Sequence, residues 1–529
     1  MPLPDNPPAD WPSRIPLLPF DDANAQLMRT VAPKGWMAPV PKDRYHLVVI
    51  GAGTAGLVSA AIAAGLGARV ALIERHMFGG DCLNFGCVPS KAVIRAARAW
   101  REARTAAVRF GGPRVTAEGD FGAVMARLRR LRADISPVDG VERFRALGVD
   151  VFLGHATFCA PDAITVNDTV NDTVNDTVLR FRRAIIATGA RATRPPIPGL
   201  ANTPYDTNES IFSLTERPAR LIVIGGGPIG TELAQSFARF GSAVTLVHAG
   251  THVLPRDDSD AAAVVSTALK ADGVRIINQA TVARVSHDGQ QFNLQLAGDG
   301  PAAHGTTALQ ADRLLVATGR TPNIDGLGLD VAGVRVTSKG VRVDDRLRTS
   351  NPRVYAIGDV STALQFTHVA DAQARLVVAN ALFFGIGGGR ASALVVPRVT
   401  YTDPEVAHVG MTVEDASAQG VRIDTIRVSL EDNDRARLDD EPHGFLKVHV
   451  AAGTDRIVGA TLVATHAGEM IGEMTVAIAN GVGLGGVGKA IHPYPTQAEV
   501  FRRAADAWRK RAFTSRARRF FALWFRIFT

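Results

Sequence analysis

The sequence predicts an α/β fold in which two parallel-sheet units share one chain, the second inserted within the first. A buried apolar strand leads into a glycine-rich turn and a helix near residue 50, and the same pattern recurs near residue 225. Two further apolar strands, ending near residues 189 and 319, finish in the same Ala-Thr-Gly turn and bracket the second pattern. These three observations favour strands and helices that alternate around parallel sheets.

The first pattern begins with an apolar strand at 45–50, which enters a Gly-x-Gly-x-x-Gly turn and an Ala-rich helix. A second strand then ends at an acid, 23 residues after the first glycine. Such glycines let a pyrophosphate approach the backbone at a helix N-terminus, and such an acid can hold a ribose hydroxyl. The pattern predicts a Rossmann-like dinucleotide-binding domain. Its predicted cofactor-binding residues are Gly51, Gly53, Gly56 and Glu74.

The second pattern begins 174 residues later. A strand at 221–224 leads into Gly-Gly-Gly-Pro-Ile-Gly and a helix, and a strand at 243–247 follows. One such turn is weak evidence, but two with the same strand and helix context predict two dinucleotide sites in one chain. The predicted binding residues of the second site are Gly225, Gly227 and Gly230.

Three strand ends complete the predicted nucleotide sites. The two Ala-Thr-Gly turns mark where the chain leaves and re-enters the first domain, which places the second domain between about residues 191 and 314. A Gly-Asp pair follows the strand end at 355–357, where an acid can accept a hydrogen bond from a cofactor hydroxyl. The predicted binding residues at these turns are Thr188, Gly189, Gly358 and Asp359 for the first cofactor and Gly319 for the second.

Two cysteines, Cys82 and Cys87, lie between the two predicted nucleotide sites. Residues 88–100 predict a helix with Pro89 in its first turn, so Cys87 is expected at a helix N-terminus, where a thiolate is stabilised. A zinc site is the alternative, but it would need a second Cys or His pair. Two dinucleotides and a dithiol together imply electrons that pass from one cofactor to the other and then to sulfur.

The composition is that of a globular protein with three or four domains. Three cysteines in 529 residues indicate a reducing compartment, and the third, Cys159, is expected to be a buried structural thiol. The N-terminus has no secretory signal pattern, and the uncharged run at 47–68 contains too many glycines for a membrane span. We therefore expect a cytoplasmic protein.

The formal net charge of +8 is concentrated at the C-terminus. Residues 502–529 carry nine Lys or Arg and one Asp, a net charge of +8, so the rest of the chain sums to zero. This distribution argues against a nucleic-acid partner. The same segment holds seven aromatic residues. As a helix it can make peripheral contact with an anionic membrane surface; the alternative is a helix that packs on a partner subunit or on the N-terminal extension.

Two other segments lie outside the nucleotide patterns. Residues 1–43 are Pro-rich and are expected to wrap around the surface. The sequence Val-Asn-Asp-Thr at 166–169 is repeated twice up to residue 177, which predicts a duplicated hairpin tip in a surface loop. The apolar anchors expected in the N-terminal extension are Trp11, Leu17, Leu18 and Phe20.

In their order along residues 44–505, these motifs resemble the FAD-dependent pyridine nucleotide-disulfide oxidoreductases, and most closely their mercuric reductase-like and dihydrolipoamide dehydrogenase-like members. Residues 399–405 and 492–499 resemble the family's dimerisation domain. The resemblance implies FAD, NADPH or NADH as cofactors and a homodimer whose active site borrows the partner's C-terminal motif. The implied fold is α/β, with two Rossmann-like dinucleotide-binding domains, one inserted in the other, and an α+β dimerisation domain. The implied bounds are 1–43 for the extension, 44–190 and 315–390 for the FAD domain, 191–314 for the NAD(P)H domain, 391–505 for the dimerisation domain and 506–529 for the tail.

The resemblance also implies roles for single residues. Cys87 would face the flavin and carry the thiolate, and Cys82 would meet the substrate. Lys91 would pair with Glu232 and orient nicotinamide and flavin for hydride transfer; the alternative is two separate surface charges. Gly80 would join the FAD-binding residues.

The C-terminal motif departs from the family. Disulfide-reducing members carry a His before Pro-Thr that acts with a nearby Glu, whereas this chain has Tyr494, and a phenol with a pKa of about 10 is a poor base. His492 lies two residues earlier, and Glu499 follows in the same motif. No cysteine follows Cys159, so the C-terminal pair by which mercuric reductases pass on Hg(II) is missing.

The second nucleotide pattern also lacks an acid at the end of its second strand, where His248 stands instead. An acid at this position favours NADH by holding the ribose 2′-hydroxyl. Its absence, with His252 and Arg256 nearby, favours NADPH, although histidine is a weaker partner for phosphate than arginine.

The sequence thus predicts an enzyme that passes electrons from NAD(P)H through FAD and the Cys82–Cys87 disulfide to a small-molecule or metal-ion acceptor. Three alternatives stay open. One is a membrane-associated NAD(P)H:quinone electron-transfer flavoprotein that uses the dithiol little. The second is a dihydrolipoamide dehydrogenase, and the third is a nucleotide-binding protein without turnover. No resident metal site is expected.

Overall fold

The computed structural model describes residues 17–168, 176–297, 308–383, 385–513 and 515–528. The chain divides into two compact units. Unit 1 contains the described parts of Met1–Arg104, Val115–Val247 and Ala280–Leu394. Unit 2 contains the described parts of Thr105–Arg114, His248–Gln279 and Val395–Thr529.

The α-helices of the described residues are α1 Asp22–Val31, α2 Thr54–Gly65, α3 Gly80–Asn84, α4 Cys87–Phe110, α5 Phe121–Ile135, α6 Val141–Ala146, α7 Pro228–Arg239, α8 Ser259–Ala271, α9 Thr367–Leu382, α10 Val413–Ala418, α11 Asp434–Leu438, α12 Ala467–Ala479, α13 Leu484–Val487, α14 Glu499–Ala512 and α15 Ser515–Phe528.

The strands are β1 Tyr45–Ile50, β2 Val70–Glu74, β3 Asp150–Ala160, β4 Ala163–Asp168, β5 Thr177–Ile186, β6 Ala190–Ala192, β7 Arg220–Ile224, β8 Ala243–Val247, β9 Arg275–Ile277, β10 Thr281–His287, β11 Phe292–Ala297, β12 Ala308–Ala311, β13 Arg313–Val316, β14 Arg320–Pro322, β15 Val336–Thr337, β16 Gly340–Val341, β17 Val354–Ala356, β18 Pro397–Thr400, β19 Glu405–Gly410, β20 Ile423–Ser429, β21 Phe445–Ala451 and β22 Ile457–Ala464.

The first sheet of unit 1 has a parallel core in the order β3-β2-β1-β5-β17. Val48 of β1 lies in the middle, between Ala71 of β2 and Ala184 of β5. Strand β1 is almost wholly apolar and buried, as expected for a parallel strand covered on both faces. Strand β4 pairs antiparallel with both β3 and β5. The predicted strand at 45–50 is confirmed.

A second parallel sheet, in the order β13-β7-β8, lies between β5 and β17 along the chain. Val223 of β7 pairs with Leu315 of β13. The short strands β6 and β14, which precede and follow this sheet in sequence, pair antiparallel. An antiparallel meander, β10-β11-β12, belongs to the same insertion. The predicted insertion of one nucleotide domain into the other is confirmed.

Unit 2 is built on an antiparallel sheet in the order β18-β19-β22-β21-β20. Apolar side chains of α12 and α14, among them Met474 and Phe501, pack in one core with this sheet. Residues 248–279 are held to it by ion pairs, because Lys447 contacts Asp258 at 2.8 Å and Arg398 contacts Asp257 at 3.0 Å. The mixed helix and sheet content confirms the predicted α+β architecture.

The structure corrects one expectation about the core. Cys159 is exposed and not buried. It lies on β3 after the buried Phe158, where the pairing of β3 with β4 shifts register before Ala160. Side chains alternate along a strand, so the apolar Phe158 takes the inward position and the thiol points outward.

Several sequence segments fall partly outside the described residues. Of the expected N-terminal anchors, Leu17 and Phe20 are buried and Leu18 is exposed, whereas Trp11 lies outside the described residues. Residues 169–175, which make up most of the repeat, also lie outside them, although Val166 of β4 pairs with Thr177 of β5 on either side. Within the part of the chain that the structure describes, no helix is long and apolar enough to cross a membrane.

Candidate active site

The turn between β1 and α2 is closely fitted to the backbone around it. Gly51 has φ +102°, and a Cβ at this position would lie 2.5 Å from the Ala187 carbonyl oxygen. A Cβ at Gly56 would lie 1.8 Å from the Gly51 carbonyl oxygen. Gly53 is the N-cap of α2 and has no side chain to cover the helix N-terminus. The turn leaves the first amides of α2 open to an anion.

Glu74 ends β2 beside this turn. Its two carboxylate oxygens accept hydrogen bonds from the Ala52 amide at 2.6 Å and the His76 amide at 2.8 Å. Glu74 also lines a small cavity with residues of the turn and of β3. The other lining residues include Ile50, Gly51, Arg75, His155, Ala156 and Thr188. A cradle without side chains, beside an acid and a cavity, fits the pyrophosphate and ribose of a dinucleotide.

The cysteine segment approaches the same turn. Gly80 has φ +57°, and a Cβ there would lie 2.6 Å from the Gly53 Cα. The Gly79 amide donates to the Ala52 carbonyl at 2.9 Å. Backbone contact of this kind requires glycine on both sides. The predicted cofactor residues Gly53 and Gly80 are therefore neighbours, and α3 starts at the edge of the cradle.

The remaining predicted residues of the first site lie at strand ends of the same sheet. Thr188 donates its hydroxyl to the Asn323 carbonyl at 2.7 Å, and Gly189 has φ +67°. Gly358 donates its amide to Gln373 at 2.8 Å. Asp359 follows, and burial together with the nearby Asp81 charge raises the pKa of its carboxyl. The FAD-binding residues expected from the sequence thus surround one edge of the first sheet.

The second glycine turn repeats the geometry of the first. Gly225 has φ +116°, and a Cβ there would lie 2.3 Å from the Ala317 carbonyl oxygen. A Cβ at Gly230 would lie 1.9 Å from the Gly225 carbonyl oxygen. Gly227 is the N-cap of α7 and has no atoms within 4 Å of its Cβ position. Gly319, after β13, has φ +124°. This second cradle fits a second dinucleotide.

The two cysteines of the redox segment are free thiols that share a hydrogen bond. Cys82 lies in α3, and Cys87 is the first residue of α4. The Cys87 sulfur also lies 3.2 Å from the Thr367 hydroxyl. The hydrogen bond from Cys82, followed by that from Thr367 and the charge of Lys91, lowers the pKa of Cys87 to about 6. The same bond and burial raise the pKa of Cys82.

Lys91 and Glu232 form an ion pair one helical turn from Cys87. The Lys91 Nζ lies 3.0 Å from the Glu232 Oε2, and the Glu232 side chain is only 6% exposed. Lys91 lies in the first turns of α4, and Glu232 lies two residues after the last glycine of the second turn. The structure brings together these two predicted residues, which the alternative had left as separate surface charges.

The predicted C-terminal residues belong to unit 2. The His492 Nε2 lies 3.0 Å from the Glu473 Oε1, and the His492 side chain is 6% exposed. Tyr494 is exposed and donates its hydroxyl to Asp434 at 3.1 Å, which raises the pKa of the phenol. Glu499 begins α14 and lies 3.7 Å from Arg503.

His248 comes directly after β8 in the sequence and belongs to unit 2. Burial, and then the charge of the nearby His252, lowers the pKa of its imidazole. His248 is therefore neutral at pH 7, which makes it a weak partner for a phosphate unless the phosphate itself raises the pKa.

Sequence reasoning missed four side chains that contact the predicted residues. Thr367 reaches Cys87 from a helix 280 positions away, and no sequence signal identifies it. Arg320 follows the second Ala-Thr-Gly turn and Asp81 precedes Cys82, so both belong to motifs that the sequence shows. The sequence does not show that the two residues form an ion pair. Glu473 is one acid among many in the sequence. Among the described residues, no group of three or more His, Cys, Asp or Glu is placed to hold a metal ion.

Comparison with known proteins agrees with this geometry. The family model described as "Pyridine nucleotide-disulphide oxidoreductase" matches residues 45–374, and the model of its dimerisation domain matches residues 396–505. The mercuric reductase of Acidithiobacillus ferrooxidans is 35% identical over 478 residues, which cover 88% of this chain and 83% of that protein. The mitochondrial dihydrolipoyl dehydrogenase of Dictyostelium discoideum is 32% identical over 475 residues, 88% of this chain and 95% of that one.

A solved structure is similar over the same span. The Cu(II) complex of the HOCl-induced flavoprotein disulfide reductase RclA from Escherichia coli has a TM-score of 0.76 and 30% sequence identity. The match covers 88% of this chain and 99% of that one.

Proposed function

This chain belongs to the pyridine nucleotide-disulphide oxidoreductase family, as an FAD-dependent NAD(P)H oxidoreductase, and we propose that its dithiol reduces a thiophilic metal ion. In this proposal Cys87 is the thiolate on the cofactor side and Cys82 is the thiol that meets the acceptor. The observation that carries the proposal is the free pair Cys82 and Cys87, with a lowered pKa at Cys87, beside a dinucleotide cradle.

The residues of the first cradle fit FAD and those of the second fit NAD(P)H. Gly51, Gly53 and Gly56 would hold the FAD pyrophosphate, Glu74 a ribose hydroxyl and Asp359 a further hydroxyl. Bound FAD supplies the two-electron chemistry that links NAD(P)H to the disulfide. We keep the FAD domain at 44–190 and 315–390, the NAD(P)H domain at 191–314 and the dimerisation domain at 391–505 as part of this proposal.

We infer the class of electron acceptor from the proton donors that the C-terminal motif provides. Cleavage of a disulfide substrate releases a thiolate that an acid must protonate. Tyr494 cannot serve, because its hydroxyl donates to Asp434 and its pKa is raised above the usual value. The His492 Nε2 lies 3.0 Å from Glu473, and the other ring nitrogen, Nδ1, is buried within the described chain, where it does not face an acceptor. Reduction of a metal ion needs no proton on the acceptor, so it suits this site better than reduction of glutathione disulfide or lipoamide.

The electrons balance for either kind of ion. Oxidation of two thiols to one S–S bond releases two electrons and the thiol protons. A two-electron acceptor such as Hg(II) takes both at once, and a one-electron acceptor such as Cu(II) takes them as two equivalents. Thiolates prefer soft ions, such as Hg(II) and the Cu(I) that reduction of Cu(II) gives. The mercuric reductases among the relatives, and the Cu(II) complex of RclA, support this acceptor class.

Turnover of the purified enzyme with a set of acceptors tests the proposal. NADPH oxidation is followed with Hg(II), Cu(II), oxidised glutathione, lipoamide and a quinone, for the wild type and for Cys82→Ser and Cys87→Ser. We expect metal-dependent turnover that both substitutions abolish. Cys159→Ser is the matched control, because this third thiol is exposed on β3 and should not matter. Quinone or lipoamide turnover without metal turnover would overturn the proposal.

We also propose that the active site is completed across a homodimer. The dimerisation-domain match covers residues 396–505, which include Tyr494 and Glu499. Mixed dimers of a Cys87→Ser chain and a His492→Ala/Tyr494→Ala/Glu499→Ala chain, which keeps the buried apolar residues of α14, test this arrangement. One restored site per mixed dimer is expected, and no restoration would contradict it.

A third proposal concerns α15, which we assign to the surface of an anionic membrane. None of its described residues is buried. Phe520, Trp524 and Phe528 recur at four-residue intervals on one face, with ring centroids 6.3 and 4.3 Å apart. Arg519 and Arg526, two turns apart, lie on the opposite face, and residues 515–528 hold no acid. An aromatic face with an arginine face is the pattern of helices that lie in a lipid interface.

Flotation with vesicles tests the membrane contact of α15. Full-length protein should float with vesicles that contain phosphatidylglycerol and not with neutral vesicles. A chain truncated after Phe513, which keeps α14 whole, should stay at the bottom, as should Trp524→Ser/Phe528→Ser. Equal flotation of all forms would refute the membrane contact. A truncated chain that instead loses its dimeric state would show that α15 packs on the partner subunit.

A further inference from the structure

Arg320 is a nearly buried guanidinium that contacts three segments of unit 1. Its side chain is 12% exposed. One nitrogen lies 3.2 Å from the Asp81 Oδ2, its Nε lies 3.4 Å from the Asp359 Oδ2, and a third nitrogen donates to the Ala190 carbonyl at 2.6 Å. Arg320 therefore joins the residue before Cys82 to the predicted cofactor acid Asp359.

Asp81 is an unexpected neighbour for a dithiol that works as a thiolate. Its negative charge raises the pKa of both cysteine thiols. Both of its carboxylate oxygens are held, because Asn208 donates to Oδ1 at 3.0 Å and Arg320 contacts Oδ2. Gly86 leaves room for this carboxylate, since a Cβ there would lie 2.8 Å from Oδ2. The loop that carries both cysteines is thus folded around a fixed acid.

We propose that Arg320 and Asp81 form a positioning pair for the dithiol, which compensates the acid beside Cys82 and couples the cysteine loop to the Asp359 turn. This positioning role rests on the proposed function in one respect, namely that Cys82 and Cys87 are the redox-active dithiol. Neither residue touches the reacting sulfur atoms by a hydrogen bond in the structure, so both act through the loop and through charge.

The electrostatic part of the proposal has a definite sign. The charges that act on Cys87 are those of Lys91 and Asp81, beside hydrogen bonds from Cys82 and Thr367, and Lys91 is itself paired with Glu232. Arg320 feels the negative charges of Asp359 and Glu209 in addition to that of Asp81. Loss of Arg320 leaves the Asp81 charge uncompensated, which disfavours the thiolate and therefore favours the neutral disulfide. Loss of the Asp81 charge does the opposite.

The equilibrium between the dithiol and the disulfide measures this sign directly. The FAD-loaded enzyme is equilibrated with oxidised and reduced dithiothreitol at pH 7, quenched, alkylated and analysed by mass spectrometry. Each turn of the exchange forms one protein S–S bond and opens the cyclic disulfide of the reagent, so atoms and electrons balance. Cys159, which is exposed, serves as the internal control for alkylation.

We expect Arg320→Met to shift the equilibrium constant toward the disulfide, on the order of three- to tenfold. Asp81→Asn should shift it toward the dithiol, and Arg320→Met/Asp81→Asn should return it close to the wild-type value. Arg320→Lys keeps the positive charge, so its equilibrium constant should stay close to the wild-type value. A merely structural role predicts that the double variant is at least as impaired as Arg320→Met.

Two results would overturn the proposal. One is an unshifted equilibrium constant in an Arg320→Met enzyme that retains FAD, and the other is a double variant whose equilibrium constant does not return toward the wild-type value. If Arg320→Met does not fold, Asp81→Asn still tests the proposal, because it should shift the equilibrium toward the dithiol while Arg320→Lys stays close to the wild-type value. Failure of the proposed function would be seen separately, as acceptor turnover that survives Cys82→Ser and Cys87→Ser while these equilibria shift as expected.

Discussion

The Lys91 Nζ lies 3.0 Å from the Glu232 Oε2, and this ion pair joins the helix that begins at Cys87 to the helix that begins at the second glycine turn. Glu232 is nearly buried, whereas Lys91 is 38% exposed, so the pair is partly screened by water. The ion pair therefore acts mainly by positioning, because it sets the distance between the dithiol helix and the second cradle.

Glu232→Gln should slow the reduction of the enzyme by NAD(P)H by about tenfold or more, because Lys91 loses its charged partner and its fixed position. Stopped-flow measurement of flavin bleaching checks this rate. Glu102→Gln is a matched control, since Glu102 pairs with Arg95 on the same helix but both side chains are exposed. Equal rates in the wild type and Glu232→Gln would contradict the assigned role.

The thiolate at Cys87 should depend on Thr367. The pKa of Cys87 is lowered to about 6, so the thiolate is present above this pH and is lost as the pH falls through it. Thr367→Val removes a donor at 3.2 Å and should move the midpoint to higher pH. The long-wavelength absorbance that a thiolate gives beside oxidised flavin reports the midpoint. Cys159→Ser should leave it unchanged, and an unshifted midpoint in Thr367→Val would contradict the prediction.

The local sequence pattern was enough to predict the strands and glycine turns of both nucleotide domains. The uniform apolar run at 45–50 and the glycine spacing specify β1 and its turn, because positions such as Gly51 need a positive φ and a close backbone approach. Pro89 and the residues after it placed Cys87 at the start of a helix, which is where α4 begins.

Contacts between distant segments were beyond sequence reasoning. Thr367 lies 280 positions from Cys87, and the pairing of Asp81 with Arg320 depends on how the loop and the strand end meet. Cys159 was expected in the core because thiols are usually buried, but the register shift in β3 turned it outward. Such features arise from tertiary packing, which no local propensity encodes.

The coenzyme preference should change with pH if His248, which stands where an acid would select NADH, contacts the 2′-phosphate of NADPH. Burial lowers the pKa of His248, so its positive charge is lost as the pH rises. The ratio of kcat/KM for NADPH to that for NADH should therefore be larger at pH 6 than at pH 8. His248→Ala should flatten this dependence, and His443→Ala, at an exposed histidine, should not. A constant ratio in the wild type would refute the contact.

Tyr494 should not act as a base in turnover. Its hydroxyl donates to Asp434 at 3.1 Å, and this bond raises its pKa above an already high value. Tyr494→Phe should therefore give a pH profile of kcat parallel to that of the wild type between about pH 6 and 9. Loss of a limb from the profile would show that the phenol does transfer a proton.

The fit of the first glycine turn can be tested with two substitutions in one helix. Gly56→Ala would place a Cβ 1.8 Å from the Gly51 carbonyl oxygen, so α2 must shift away from the turn at a cost of about 1–3 kcal/mol. Gly65→Ala, at the last residue of the same helix, meets no atom within 4 Å and should be neutral or slightly stabilising.

The readouts are the ratio of flavin to protein after purification and the temperature at which flavin fluorescence appears on heating. We expect Gly56→Ala to lose most of its FAD and to release the rest at a lower temperature, with Gly65→Ala unchanged. Because both changes add one methyl group to α2, any general effect of alanine on the helix cancels between them. Full FAD content in Gly56→Ala would mean that this turn does not hold the cofactor.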